Sequence, residues 1–297
     1  MKAIYKVVFT FSVVITIAAI VCVFSYGLKL GVDFKGGSII ELEFANARPR
    51  IGEIQKELDG LQLKELSINF AGANGVIIKT SELSEATHQQ ILINLKTKFG
   101  ETNIDEKRFD SIGPTIGQEL KSRSILAIII VLIAVIIYIA LVFRKLSRTL
   151  SPWAMGISAV AALIHDVAIP MGVFAILGRF YNVEMGAIFL AAALTILGYS
   201  VSDTVVVFDR VRENIVRGKA KEDFGVTVHH SIMQTLSRSL NTTFTTLLAL
   251  IAIYLFGGES VKYFALALII GIFLGAYSPI FIASPILVWW TNRRRRP

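Results

Sequence analysis

The sequence predicts a polytopic α-helical membrane protein: six transmembrane helices, with one extracytoplasmic α+β domain between the first and the second. Of the 297 residues, 54% are hydrophobic and 18% charged, and the mean hydropathy is +0.64. Soluble chains run at about 45–50% apolar and about 25% charged. The apolar residues gather in six long runs, and a bilayer core about 30 Å thick takes about 20 residues of helix to cross. One stretch of globular composition, residues 28–123, separates the first run from the other five. A soluble enzyme is excluded.

The runs are Ile4–Tyr26, Ile125–Phe143, Trp153–Leu177, Val183–Phe208, Leu240–Phe256 and Tyr263–Trp290. Lys2 and Lys6 ahead of the first give it the look of a secretory signal. It is longer than a normal signal core and no small-residue cleavage site follows, so residues 1–27 read as an uncleaved anchor. Residues 124–292 hold spans two to six, with a basic loop at 209–238, and residues 293–297 form a basic tail. Pro279 and Pro285 interrupt the last span, so a kink or tilt is expected there. The lone Cys22 lies inside span one and forbids an intrachain disulfide. Four histidines with no thiol partners give no zinc cage.

Orientation follows from Lys and Arg in the short connections. Two lie in the N-terminal stub, three in Arg144–Arg148, six in Asp209–Arg238 and four in Arg293–Arg296. All of these fall on one side, against only Arg179 and Lys262 in the short loops opposite. Both termini are therefore expected in the cytoplasm and residues 28–123 outside. The net charge of +8 is topological and does not point to nucleic acid.

Within the outer block, Ser38–Phe44 alternates like a half-buried strand, and Ile51–Leu58 carries apolar residues at helical spacing. Glu65–Phe70 returns to strand, Asn74-Gly75 signals a turn, and Val76–Thr80 is the next strand. A helix then starts at Ser81 or Ser84 and runs to about Lys98, with a last strand over Asn103–Asp110. The order βαββαβ predicts a ferredoxin-like sheet.

Charged groups inside spans cost about 2.5–3.5 kcal/mol each at mid-helix on insertion scales, so each is a functional candidate. Asp209 opens a basic run and reads as a solvated end residue. Asp166 lies mid-span beside His165. Pro170, four residues on, frees the Asp166 carbonyl, so local hydrogen bonding is a structural reading of that site. Asp203 interrupts an apolar helix at Gly198-Tyr-Ser-Val-Ser-Asp-Thr204, roughly 9 Å inside the boundary at about 1.5 Å per residue. A carboxyl at that depth that passes between protonated and ionised forms serves as a proton relay. The alternative is an ion pair with Arg210, seven residues on. Arg238 and the polar entry to span five, including Asn241, Thr242 and Thr245, together with Thr204, are the candidate lining of a wet path. Plain helix–helix packing by hydroxyls is the other reading.

No HExxH, GxSxG or Walker A pattern is present, and no metal-ligand spacing. An intramembrane aspartyl protease would need Asp166 and Asp203 at one depth, and their spans place them at different depths. Without a nucleotide site, any work comes from a gradient or a partner.

Several segments together resemble the SecD–SecF family of bacterial protein-export subunits, over essentially the whole chain. They are Gly31-Val-Asp33-Phe-Lys-Gly36-Gly37, Gly113-Pro114-Thr-Ile-Gly-Gln-Glu-Leu120, His165-Asp166, Gly198 through Asn214, and Ser237-Arg-Ser-Leu-Asn-Thr-Thr243. The span-four segment is the most specific. The resemblance implies a six-span subunit of the resistance-nodulation-division superfamily with no catalytic residue, no cofactor and no metal. It implies SecD as a pseudo-symmetric partner and the SecYEG channel as the site of action, often with YidC and YajC. The implied activity, after SecA has acted, is completion of preprotein export with the proton motive force. Asp203 and Arg238 match the family's proton-transfer pair. The resemblance further implies residence in the bacterial inner membrane. The rival readings are a passive scaffold for the channel and a small-molecule or lipid exporter of the same superfamily.

Overall fold

The computed structural model describes residues 3–144, 150–217 and 223–294. Of the basic residues used to orient the chain, Lys2, Lys145, Arg148, Lys219, Lys221, Arg295 and Arg296 lie outside the described residues. The chain divides into two compact units, Leu30–Ile125 and the remainder, Met1–Lys29 with Leu126–Pro297.

Along the chain, helix α1 (Ala3–Tyr26) is followed by the short α2 (Val32–Lys35), β1 (Gly37–Phe44), α3 (Ile51–Leu58), β2 (Ser67–Ala71) and β3 (Gly75–Thr80). Next come α4 (Glu85–Phe99), β4 (Ile104–Ile112) and α5 (Pro114–Val142). The remaining helices are α6 (Pro152–Tyr181), α7 (Ala187–Val216), α8 (Phe224–Phe256), α9 (Glu259–Ser278) and α10 (Ser284–Arg294). One π-helical turn, Pro279–Ala283, joins α9 to α10. Among the described residues six helices are long and apolar enough to cross a membrane, the sixth being Val261–Arg293, which runs through that turn.

In the smaller unit the strands form one antiparallel sheet in the order β2-β3-β1-β4. Period-two alternation decides which side chains point inward. Ile40, Leu42 and Phe44 of β1 and Val76 and Ile78 of β3 are buried with Ile54 and Leu58 of α3 and Ile91 and Leu95 of α4. The Ser84 hydroxyl accepts from the Thr87 amide and caps α4, satisfying a donor the helix start leaves free.

In the larger unit α6, α7 and the sixth span pack centrally, while α1, α5 and α8 keep most of their surface exposed. Small residues permit the closest approaches. A Cβ on Gly271 would collide with Ile196, and one on Gly275 would lie 3.1 Å from the Ser200 Cβ, so two side chains of α7 seat in the two gaps of α9. Gly172 of α6 meets Ala19 of α1 in the same way, 2.6 Å from its Cβ.

Three helices extend well beyond their apolar runs. α7 runs on to Val216, where the sequence ended the span at Phe208. α5 begins at Pro114, where the sequence placed the span from Ile125, and α8 begins at Phe224, where it placed the span from Leu240. Hydropathy marks the part of a helix that lies in lipid, whereas backbone hydrogen bonding continues into polar sequence. Much of the basic segment 209–238 is thus helical, on the end of α7 and the start of α8.

Candidate functional site

Helix α8 carries a stripe of small hydroxyl side chains at every fourth position: Thr227, Ser231, Thr235, Ser239 and Thr243, all buried. A spacing of four keeps them on one face, and that face meets α7. Asn214 of α7 donates from Nδ2 to the Ser231 hydroxyl at 2.8 Å and to Gln234 Oε1 at 3.0 Å. Tyr199 donates to Thr243 Oγ1 at 3.4 Å. Between these two ties sits Asp203, 8% exposed, with the Ser239 hydroxyl beside its carboxyl. Its Oδ2, like Ser158 Oγ, is a buried side-chain atom with no hydrogen-bond partner among the described residues.

Arg238, next to Ser239 on α8, is exposed. It attracts Asp203 through space and not as a contact ion pair. Arg238 and Thr235 also line a cavity of about 280 Å³ between α5, α7 and α8, bordered by Asp209, Arg210 and Glu213. From the cavity the polar stripe leads through Ser239 to Asp203. Arg210 donates to Glu213 at 2.6 Å and is engaged there, so it does not serve as the counter-ion of Asp203. Asp209 accepts from Arg212 at 2.9 Å, within a helix that runs on to Val216.

The other polar candidates stand elsewhere. Thr204 is buried and donates to the Ser200 carbonyl at 3.0 Å. Asn241, Thr242 and Thr245 are exposed on α8, and the two threonine hydroxyls bond back to the carbonyls of Arg238 and Asn241. Asp166 is fully buried and lies in a separate network. Its Oδ2 accepts from Ser200 of α7 and Ser278 of α9, each at 2.6 Å, and its Oδ1 meets His165 Nδ1 at 2.8 Å. His165 Nε2 is 2.7 Å from the Tyr277 hydroxyl, which is 3.2 Å from Ser12 Oγ of α1. These bonds join four helices, where the sequence offered a local bond near Pro170. Tyr277, Ser278 and Ser12 carried no signal beyond being polar in apolar surroundings, and Ser200 stood only as a member of the polar segment around Asp203.

In the smaller unit the two glycine motifs meet. Gly36 has φ +83°, and a Cβ there would lie 2.7 Å from the Pro114 Cα. Gly37 has φ +130°, with a Cβ 2.7 Å from the Thr80 carbonyl oxygen. A Cβ on Gly117 would in turn lie 2.8 Å from the Gly36 amide nitrogen. A backbone needing positive φ and contact this close admits only glycine. Asp33 opens α2 just before this contact, and Gly113 sits over Glu82.

Comparison with known proteins gives a consistent result. The family described as protein export membrane protein SecD/SecF, C-terminal, matches residues 92–293, and the SecD/SecF GG motif matches residues 23–47. A protein translocase subunit SecF from Thermobaculum terrenum is 40% identical over 294 residues, covering 95% of this chain and 90% of that protein. A SecDF subunit from Brucella abortus is 37% identical over 93% of this chain but only 35% of its own length. The crystal structure of SecDF from Thermus thermophilus, a translocon-associated membrane protein, matches with a TM-score of 0.80 and 31% identity. It covers 97% of this chain, which spans 38% of that longer one.

Proposed function

Because the chain belongs to the SecD/SecF family of protein-export membrane proteins, we propose that it is the SecF-type half of a proton-driven export motor, with Asp203 as the group that takes up and releases the proton. The observation that carries this is the buried carboxyl of Asp203, with one oxygen unpaired, joined by Ser239 to a polar cavity that Arg238 lines. Protonation of Asp203 removes its attraction to Arg238, and ionisation restores it. The toggle acts at the α7–α8 contact, where Asn214–Ser231 and Tyr199–Thr243 hold the helices on either side.

SecD is the expected partner, supported by relatives and a solved structure in which the two halves form one chain. Action at SecYEG after SecA, with YidC and YajC as neighbours and preproteins as clients, completes the reading. The chain lies in the bacterial inner membrane with both termini in the cytoplasm, as the basic connections favour. Residues 28–123 form the extracytoplasmic ferredoxin-like domain, a reading that the sheet order and the two helices on one face support. Asp33, Gly36, Gly37, Gly113 and Pro114 join the start of that domain to its end. Work comes from the gradient and not from an enzymatic active site.

One proton crossing about 150–200 mV delivers about 3.5–4.6 kcal/mol. Turning a two-state equilibrium from 1:99 to 99:1 takes about 5.5 kcal/mol, so each stroke is expected to use more than one proton. The test of the reading is Asp203→Asn in inverted vesicles carrying SecD and SecYEG. The gradient-dependent part of preprotein completion is expected to vanish while the complex stays assembled. Export that still responds fully to the gradient would leave the chain as a passive scaffold.

A further inference from the structure

The spans bury a second pair of titratable side chains, His165 and Asp166, and the Asp203 step makes no use of them. Asp166 accepts hydrogen bonds at both carboxyl oxygens, two of them from the hydroxyls of Ser200 and Ser278. A carboxylate there has acceptor sites for all three partners. His165 presents Nδ1 to Asp166 and Nε2 to the Tyr277 hydroxyl, and Tyr277 in turn meets Ser12. An imidazole nitrogen and a hydroxyl can each donate or accept, so the segment from Ser12 to His165 can point either way without losing a bond. Of the six side chains, five are buried and Tyr277 alone is partly exposed.

We propose that His165, with Asp166 as its fixed counter-ion, is a second proton-binding site of this chain, reached through the hydroxyl of Tyr277. In the neutral form, Ser12 donates to Tyr277, Tyr277 donates to His165 Nε2, and Nδ1–H donates to Asp166. A proton arriving at Tyr277 is passed on as the phenol hands its own proton to Nε2 and keeps the newcomer. One N–H bond is gained, no bond to carbon changes, and the buried pair goes from net charge −1 to zero. Nε2–H then donates to Tyr277 and Tyr277 to Ser12, so the bond between α9 and α1 reverses its direction. Release runs the same steps backward.

The neighbours favour this assignment. The other charged residues of the packed helices stand toward their ends: Lys6 on α1, Arg179 on α6, Lys262 on α9, Arg293 on α10, and Asp209 to Glu213 on α7. The titratable groups nearest along α7 are Tyr199 and Asp203, one and three residues from Ser200. Among the described side chains of these elements, no cation therefore competes with His165 for Asp166.

The inference deepens the proton-coupled reading and rests on it for a role in export, though not for protonation itself. It also supplies within one chain the additional proton that the energetics require. The test is 15N-histidine NMR between pH 5 and 8.5 on the intact complex in lipid with this chain alone labelled, His165→Gln assigning the signal among its four histidines. If that variant does not assemble, replacing His88, His229 and His230 by Gln leaves His165 to be read alone. The expected result is one buried histidine passing from the Nδ1-protonated neutral form to imidazolium. Its midpoint should move in Tyr277→Phe by about one pH unit, a tenfold change in proton affinity. A His165 signal that holds one neutral form throughout, or is indifferent to Tyr277→Phe, overturns the proposal. The Asp203→Asn export assay is a separate readout. If export there still follows the gradient while His165 titrates, the motor reading fails and the second site stands.

Discussion

Ser239 and Thr242 are three positions apart on the same helix and differ in what they face. Ser239 is buried against Asp203, whereas Thr242 is exposed and bonded to its own backbone. Ser239→Ala is therefore expected to slow gradient-dependent export several-fold, and Thr242→Ala to leave its rate within a factor of two. Export by vesicles at matched complex levels reads both. The sequence made the acid and the arginine visible, because charge in an apolar run is conspicuous. It hid the stripe Thr227–Ser231–Thr235–Ser239–Thr243, since the densest hydroxyl cluster, residues 237–246, drew attention away from a period of four that starts ten residues earlier. The His165–Asp166 network was hidden for another reason. Its partners come from helices distant in sequence, and no local spacing encodes them.

At the scale of elements, most boundaries could be read. Period-two alternation marked β1, the turn signal marked the start of β3, and helical spacing marked α3 over the same residues the structure shows. The β2–β3 turn falls where Asn74-Gly75 signalled it but slightly earlier: it spans residues 72–74, Gly75 already pairs with Ala71, and the left-handed residue is Gly72, with φ +60°. The glycine contact supplies a contrast. Gly36→Ala adds a steric clash with Pro114 to a positive-φ backbone cost on the order of 1–3 kcal/mol. Gly72→Ala meets nothing within 4 Å and bears the backbone cost alone. Thermal unfolding of the purified chain should show a clearly larger drop in midpoint for Gly36→Ala.

Acid should weaken the same unit. Gln89 and His88 beside Glu85 hold its carboxyl below the ordinary 4.5, and Lys107 beside Asp105 holds that one below 3.8. Depressed values in the folded state mean that the unfolded chain binds these protons more readily. Stability is then complete above the ordinary carboxylate range and falls as pH drops through it. The unfolding midpoint of residues 30–125, read by a probe placed there, should be flat near neutrality and decline below about pH 4.5. Both groups are fully exposed, so the decline is shallow.

For the whole molecule, the energetics set the number of protons. Proton flux measured against completed strokes is expected to exceed one per stroke, and a ratio well below one would remove the motor reading. Composition and charge placement conveyed the six-span plan; the packing of Ile196 and Ser200 into the gaps at Gly271 and Gly275 needed the folded chain. One feature of α8 reaches beyond transport. Asn241, Thr242 and Thr245 are exposed on the apolar part of a membrane-crossing helix, and polar side chains turned to lipid are costly. A chain made without its partner would present that polar strip to the lipid, the kind of flaw a membrane protease recognises. Partner supply would then govern abundance: in cells lacking SecD, pulse-chase labelling should show this chain degraded several-fold faster, and hydrophobic replacements at Asn241, Thr242 and Thr245 should slow its turnover.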